Sequence, residues 1–437
     1  MNIESITIQN FRNIGKERTF FLNRHFTAFI GINGKGKSTI LNALRVASGS
    51  YFLGIPNSEV KSRHIHKDEI RFTESDYQLV PQFPVKVEAT GTFPGSDNPI
   101  TWRRQWLEGK SSSTTKHSDV GSIKDIAMSN YHEVTKEGND KIPLPLIAFL
   151  GISRAVGAGR VTPQSRIQKL GRVIFREGYQ DWDEMRAVKF HYPEWLGRYD
   201  MLLKQQKEYT GTKGAFFTAI RKANPYISQL EFSAGELWVK VKIDDEESNL
   251  LPLSLHSDGV HYFTEMVAEL AYRCIVLNGF KEEKAIDEAT GIVMIDELDL
   301  HLHPKWQRHV VNDLKTAFPN IQFVVTTHSP FIVQSLKSEE LIILDEQIKK
   351  DGDPDMKGIE DVAANEMGVE DVPRSEAFLE MQKVAEEYYA LIKQGKTSIT
   401  DKETAILRNK LNELEERFSN DPAFVASLRI ERQANDL

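Results

Sequence analysis

The sequence predicts an α/β protein in which a mixed or parallel sheet carries flanking helices. Short continuous apolar runs support this fold class, because such runs are typical of strands that are buried on both faces. Three of them are FTAFI, GIVMI and IQFVVT, and each is followed by glycine or polar residues. The chain has 437 residues, 40% of them hydrophobic and 27% charged, so a large domain interrupted by a smaller one is expected.

A glycine-rich loop follows the run FTAFI, which itself comes after an alternating strand at residues 3–8. The segment Gly31–Ser38 reads GINGKGKS and fits the pattern G-x-x-x-x-G-K-[ST], and the following TILNALRVA has helical spacing. A strand, a loop and a helix in this order present backbone N–H groups and a helix N-terminus to phosphates. The predicted nucleotide contacts are Asn33, Gly34, Lys35, Gly36, Lys37, Ser38 and Thr39.

Two residues of this loop have specific predicted roles with ATP and Mg²⁺. Lys37 should reach the β and γ phosphates, and the Ser38 hydroxyl should bind the metal ion. The predicted partner of this loop is the run GIVMI, which ends in Asp296 and Glu297. Parallel strands place ligands at their carboxyl ends, so Asp296 should hold Mg²⁺ and Glu297 should act as general base. The alternative is a strand that merely ends in a polar turn.

A third strand, residues 321–327, brings His328 to the same edge of the sheet. A histidine there can hydrogen-bond the γ-phosphate, so we assign His328 to the catalytic group. The nearby pair His301 and His303 also allows a metal-site interpretation with His328, which we disfavour below.

The rest of the chain predicts an insert and a tail. Aromatic and aliphatic residues at helical spacing between residues 178 and 225 indicate the core of a helical subdomain rather than a base-stacking surface. Two amphipathic segments near the C-terminus predict a helical hairpin, which either docks a partner or covers the chain's own ATPase domain. The predicted divisions are residues 1–140, 141–235, 236–350 and 351–437. In the first, the segments PVKVEATGTF and PITWRRQWLEG predict an antiparallel hairpin, and the third contains the strand that ends in Asp296 and also His328.

Together, the segments NFRNI, GINGKGKST, LSLHSDGV, VMIDELDLHLHP and FVVTTHSP resemble the ABC-type P-loop ATPases related to RecF and the OLD proteins. Within this group the resemblance is strongest to the PtuA-type ATPase subunits of Septu anti-phage defence systems and their retron-associated relatives. It covers roughly residues 1–50 and 250–345, and the helical tail is similar as well.

The resemblance assigns further residues. Ser257, Asp258 and Gly259 match the ABC signature, which in this family contacts ATP held by another subunit, although Val260 departs from the usual pattern. Arg12 matches the arginine of the family's F-R motif and becomes a candidate nucleotide contact; the alternative is a surface arginine. Residues Asp299, His301 and Pro304 match the family's D-loop, which argues against the metal-site interpretation.

The family also implies partners. It predicts a head-to-tail homo-oligomer that gates an HNH nuclease subunit within an anti-phage complex and meets nucleic acid, expected to be DNA, directly or through the complex. The alternative is a RecF-like repair ATPase that acts on DNA itself. A stretch without acidic residues, Arg154–Arg176, contains Arg166, Lys169 and Arg172 and either meets phosphates or forms a solvated face.

Cellular location follows from composition. No run of eighteen apolar residues and no signal-peptide pattern occurs, so the sequence predicts a cytoplasmic protein without a membrane segment. Cys274 lies in an apolar stretch and is interpreted as a core thiol.

Overall fold

The fold was analysed in a computed structural model of the chain. It describes residues 1–75, 77–94, 96–113, 117–152, 174–185, 190–243, 246–345, 347–348, 352–369, 376–394 and 401–417. The basic residues Arg166, Lys169 and Arg172 lie outside the described residues, so their predicted contact with phosphates stays a prediction.

The described strands follow the alternating and apolar patterns of the sequence. They are β1 (Asn2–Gln9), β2 (Arg18–Phe21), β3 (Phe26–Ile30), β4 (Phe72–Ser75), β5 (Gln78–Pro81), β6 (Val85–Phe93), β7 (Ser96–Trp106), β8 (Leu146–Leu150), β9 (Ile227–Ser233), β10 (Glu236–Ile243), β11 (Glu246–Glu247), β12 (Leu251–Pro252), β13 (Gly291–Ile295), β14 (Ile321–Thr326) and β15 (Leu341–Ile343).

The described helices flank these strands or form the insert and the tail. They are α1 (Lys37–Ser48), α2 (His117–Thr135), α3 (Ile174–Tyr179), α4 (Tyr192–Lys204), α5 (Thr212–Ala223), α6 (Asp258–Asn278), α7 (Pro304–Gln307), α8 (Val310–Ala317), α9 (Pro330–Gln334), α10 (Ile359–Asp361), α11 (Glu376–Lys393) and α12 (Lys402–Arg417).

A five-stranded parallel sheet in the order β15-β3-β14-β13-β8 forms the centre of the fold. Strands β3, β8, β13 and β14 are buried along their whole length, which explains their continuous apolar sequences. Because β3, β13 and β14 are neighbours and parallel, the loops that follow them meet at one edge of the sheet. The α/β fold class with a parallel sheet is confirmed.

A second, antiparallel sheet in the order β2-β1-β6-β7 lies beside the helix that follows the glycine-rich loop. The predicted hairpin between residues 85 and 106 is confirmed by the β6–β7 pairing. Its inner face packs on α1 through Trp102, whose Nε1 donates to the Ala47 carbonyl at 2.9 Å. The helix that follows the glycine-rich loop therefore has a rigid support.

The insert packs on α6 rather than standing apart. Trp195 in α4 contacts Phe216 in α5 and Tyr272 in α6, with ring centroids 5.4 and 5.6 Å apart. The pair Glu269 and Arg273 is fully buried in α6, and Glu269 accepts hydrogen bonds from the backbone at the start of α4. The aromatic residues are core residues, as predicted.

The structure differs from the predicted division of the chain at one strand. Residues Leu146–Leu150 fall in the predicted insert, yet they form β8, which pairs in parallel with β13 inside the central sheet. An apolar pentapeptide is equally compatible with a helix or a buried strand, so its sequence does not show which partner it takes. The four-part division otherwise stays a prediction.

The chain separates into two compact units, residues 1–368 and 369–437. In the second unit, α11 and α12 pack against each other through a small apolar core, so the predicted helical hairpin forms. This core comprises Met381, Val384, Ala385, Tyr388, Tyr389, Leu411 and Leu414. Among the described residues, no helix combines the length and apolar character needed to cross a membrane.

Candidate functional site

The glycine-rich loop lies between β3 and α1 and is shaped by backbone conformations that favour glycine. Gly34 has φ of 86° and Gly36, the N-cap of α1, has φ of 106°. Side chains other than glycine rarely adopt these angles. The first turn of α1 thus points its free N–H groups into the loop, which is the arrangement that binds phosphate.

Lys37 lies inside this loop and is held by its backbone. The Nζ donates a hydrogen bond to the Gly31 carbonyl at 2.6 Å. Burial lowers the pKa of Lys37, while Asp296, Glu297 and Asp299 act in the opposite direction and favour the charged amine. The Lys37 amine thus interacts with three carboxylates and lies in the loop where a triphosphate would bind.

Asp296 and Ser38 meet at the end of β13. The Ser38 hydroxyl lies 3.4 Å from Asp296 Oδ1, and the same carboxylate oxygen accepts a hydrogen bond from Thr326 Oγ1 at 2.6 Å. Hydroxyl and carboxylate oxygens are the hard ligands that Mg²⁺ prefers. The donor set therefore fits a magnesium ion bound by one carboxylate, one hydroxyl and otherwise by phosphate and water.

Glu297 follows directly and has an unusual backbone. Its φ is 51°, a left-handed conformation that is uncommon outside glycine. Its N–H donates to Thr326 Oγ1 at 2.8 Å, so Thr326 holds both Asp296 and Glu297. Strained backbone of this kind concentrates at functional sites.

Asp299 organises the residues that follow β14. Its Oδ1 accepts a hydrogen bond from Thr327 Oγ1 at 2.6 Å and lies 3.2 Å from the backbone nitrogen of His328, which donates to it. The D-loop is thereby tied to the segment that presents His328.

Lys37, Ser38, Asp296 and Glu297 line one cavity of about 200 Å³. Nine of the residues that the sequence predicts for the site form its walls. They are Asn33, Gly34, Gly36, Lys37, Ser38, Thr39, Asp296, Glu297 and His328.

Two further wall residues, Asn13 and Thr326, were missed by sequence reasoning. Asn13 Nδ2 donates to the Gly34 carbonyl at 2.5 Å, and its Oδ1 accepts from Thr39 Oγ1 at 2.7 Å. It therefore links the segment after β1 to the glycine-rich loop at Gly34 and to the first turn of α1 at Thr39. The available signal was its place directly after Arg12 in NFRNI.

Arg12 and Lys35 do not line this cavity. The Arg12 guanidinium lies 3.8 Å from Glu69, and the Lys35 amine lies 3.4 Å from Asp345. The side chain of Lys35 thus points to a carboxylate of its own chain, and its predicted nucleotide contact would be made by the backbone. The role of Arg12 stays a prediction.

The signature residues also lie outside the cavity. Ser257 is the N-cap of α6 and Asp258 is its first residue. Gly259 packs on the D-loop so closely that an added Cβ would lie 2.6 Å from the His301 carbonyl oxygen. Ser257–Gly259 and the D-loop thus form one continuous surface that the same chain's nucleotide cavity does not include.

Comparison with known proteins agrees with this geometry. A family model described as "AAA domain" matches residues 5–234, and a second model, described as "AAA domain, putative AbiEii toxin, Type IV TA system", matches residues 147–334. The chain is 24% identical to the "Retron Vc95 probable ATPase" of Vibrio cholerae serotype O1 biovar El Tor over 79% of this chain and 74% of that protein.

Two shorter matches are to "Septu protein PtuA". The protein from Bacillus mycoides (strain KBAB4) is 51% identical over 13% of this chain and 8% of its own length, and the protein from Bacillus thuringiensis is 40% identical over 18% and 19%. These matches therefore span less than a fifth of the Septu proteins' lengths.

Among solved structures, the "SMC head domain from Thermotoga maritima" is 16% identical and covers 78% of this chain and 94% of that one, with a TM-score of 0.41. Residues 5–234, which the first family model matches, include the glycine-rich loop of the site. The chain belongs to the AAA-domain family and is similar in sequence to proteins named retron probable ATPase and Septu protein PtuA.

Proposed function

We propose that this chain binds ATP with Mg²⁺ in the cavity between Gly31–Ser38 and Asp296, and hydrolyses it. The observation that carries this proposal is the convergence of four residues on that cavity: Lys37 and Ser38 at the start of α1, and Asp296 and Glu297 after β13. A single motif can match by chance, whereas convergent phosphate-binding, metal-binding and basic groups together meet the requirements of the reaction.

Each residue has a definite task in this proposal. Lys37 and the loop N–H groups hold the phosphates, and Ser38 with Asp296 holds the metal ion, which neutralises phosphate charge when bound. Glu297 takes the proton of the attacking water at its carboxylate, and His328 donates a hydrogen bond to the γ-phosphate. The bond from the γ-phosphorus to the β,γ-bridging oxygen breaks as the bond to water forms, giving ADP and phosphate.

A second copy completes the site in this proposal. Ser257 lies outside the cavity of its own chain, as expected for a signature that acts on ATP held by another subunit. Exposed apolar side chains lie near both the glycine-rich loop and the signature. Ile32 in the loop is 51% exposed, and Leu255, two residues before Ser257, is 68% exposed. Exposed apolar groups next to functional segments support a protein interface there.

The proposed role is that of a nucleotide-gated regulatory subunit in an anti-phage defence complex, acting on a partner HNH nuclease that cuts nucleic acid. The Septu and retron names of the relatives support the defence setting. The paired helices α11 and α12 supply a separate unit that can bind a partner. Co-expression with a neighbouring HNH protein and copurification tests this part, and no copurification would contradict it.

The RecF-like alternative predicts a different result. The isolated chain would then bind DNA with an affinity that falls steeply as salt rises. Absence of DNA binding by the isolated chain at low and high salt would leave the regulatory proposal standing.

The central experiment is Glu297→Gln. The amide keeps the size of the carboxylate, and the phosphate and metal ligands remain, so ATP should still bind while phosphate release slows by about 10² to 10⁴. Light scattering with and without ATP should show an ATP-dependent assembly that accumulates in the variant. The matched control is Glu283→Gln, a change at an exposed glutamate that does not line the cavity.

Two outcomes would contradict the proposal. Phosphate release at the parent rate would remove Glu297 from the role of base. An assembly state that does not respond to ATP would contradict the proposal that a second copy completes the site. Binding and hydrolysis would then be proposed for a single chain.

A further inference from the structure

A second cavity lies beside the end of β7 in the antiparallel sheet. Its described walls share no residue with those of the nucleotide cavity. It has a volume of about 450 Å³, which is within the range of small-molecule sites. On one side lies the segment His64–Lys67, and on the other lies the loop after β7. Its walls are His64, Ile65, His66, Lys67, Trp106, Ser112 and Ser113.

These described walls have hydrogen-bond donors and a cation but no carboxylate. Lys67 supplies an ammonium group, and the hydroxyls of Ser112 and Ser113 can donate hydrogen bonds. Ile65 and Trp106 supply an apolar surface, with the indole Nε1 of Trp106 already donating to the Lys110 carbonyl at 2.9 Å. This composition attracts an anion and disfavours a cation.

Behind His64 lies Arg104, whose side chain is fully buried. Its guanidinium donates to the Arg63 carbonyl at 3.3 Å and to His64 Nδ1 at 2.7 Å. Its Nε has no hydrogen-bond partner, and among the described residues no carboxylate lies within ion-pair distance of it. A buried charge normally requires a partner of opposite sign. Burial lowers the pKa of Arg104 to about 10, and the group is still a cation at neutral pH.

The contact with Arg104 also fixes the state of His64. A guanidinium can only donate, so His64 Nδ1 accepts and the ring proton is on Nε2. This Nε2 lies 3.1 Å from Ser62 Oγ. Burial and the neighbouring Arg104, His66 and Arg63 lower the pKa of His64, which favours the neutral ring with its Nε2–H directed at Ser62.

We propose that this second cavity is an anion site that binds a phosphate group, either free or as the monophosphate of a small nucleotide. Lys67 supplies a charge at the wall, Arg104 supplies an uncompensated charge behind it, and the serine hydroxyls approach from the opposite side. A tetrahedral dianion accepts several hydrogen bonds at once and so uses donors from both sides. Ile65 and Trp106 leave apolar room for a base or a sugar next to the phosphate.

The test is isothermal titration calorimetry on the full chain that carries Lys37→Ala, so that the nucleotide loop does not contribute to the signal. The probes are inorganic phosphate and adenosine 5′-monophosphate. We expect one site per chain, weakened by salt. Adding Lys67→Ala should raise the dissociation constant by about tenfold or more, because one charge-assisted contact is lost.

The matched control is Lys61→Ala. Lys61 is an exposed lysine of the same segment that does not line the cavity, so its removal should change the dissociation constant by less than about twofold. Tighter binding of adenosine monophosphate than of phosphate would identify a nucleotide as the ligand, and equal affinities would identify the phosphate group alone. No binding of either probe, or equal losses with Lys67→Ala and Lys61→Ala, would overturn the proposal.

Discussion

Arg63 and Glu69 form a buried ion pair in which Arg63 Nη2 donates to Glu69 Oε1 at 2.6 Å. The same carboxylate lies 3.8 Å from Arg12, and Arg63 Nε lies 3.6 Å from Asp183. Asp183 also pairs with Arg45 of α1 at 2.7 Å. A continuous set of charges thus joins the segment after β1, the helix of the nucleotide loop and the insert.

Glu69→Gln should lower the free energy of unfolding by about 3–5 kcal/mol, because the buried Arg63 loses the nearer of its two carboxylate partners. Chemical denaturation measures this change. Asp68→Asn, at an exposed neighbour, should change it by less than about 0.5 kcal/mol. Equal stability of the two variants would show that the pair contributes nothing.

Lys37→Ala should weaken ATP binding in Mg²⁺ by about tenfold or more, because no neutral side chain replaces its charge-assisted contacts. Lys35→Ala is the matched comparison within the same loop, and its effect should be much smaller since its amine is directed at Asp345. Fluorescent-nucleotide titration distinguishes them. An equal loss in both variants would contradict the separate placement of the two lysines.

Thr326→Val should slow phosphate release by about 10- to 100-fold, because Asp296 loses a hydrogen-bond donor and the Glu297 N–H loses its acceptor. Thr326→Ser keeps the hydroxyl and should restore most of the rate. A positioning role requires this rescue. If the serine variant is as slow as the valine variant, the hydroxyl is not the group that matters.

Gly259→Ala should destabilise the first unit by about 1–3 kcal/mol, because the new Cβ would approach the His301 carbonyl oxygen to 2.6 Å. Gly214→Ala in α5 is the control, since its added Cβ would meet nothing within 4 Å and alanine favours a helix. Thermal unfolding compares the two. A stable Gly259→Ala variant would show that the D-loop moves away freely.

His261 and Glu265 should stabilise the start of α6 in a pH-dependent way. A hydrogen bond to Glu265 raises the pKa of His261 above its ordinary value of 6.5. The stabilisation is therefore fully present below that value and is lost as the pH rises through the raised folded-state pKa. His261→Ala should lower the unfolding free energy more at about pH 5.5 than at about pH 8.5, by less than about 1 kcal/mol. In a Glu265→Gln background this difference should vanish, and its persistence would contradict the pairing.

The sequence by itself determined the nucleotide loop and the strand ends. Gly31–Ser38 needs particular backbone angles at Gly34 and Gly36, and such requirements are local, so they are visible as a motif. The apolar runs before Asp296 and His328 are also local patterns, and they predicted buried parallel strands. Their shared edge then followed from the rule that parallel strands place their carboxyl ends together.

The tertiary structure alone decided which distant residues support these groups. Asn13 reaches Gly34, and Thr326 reaches Asp296, only because β1, β3, β13 and β14 take their particular places in the fold. The apolar run at β8 joins the central sheet for the same reason, although its sequence is equally compatible with other partners. Strand order and the burial of a charge such as Arg104 depend on packing across the whole domain, and no local pattern encodes them.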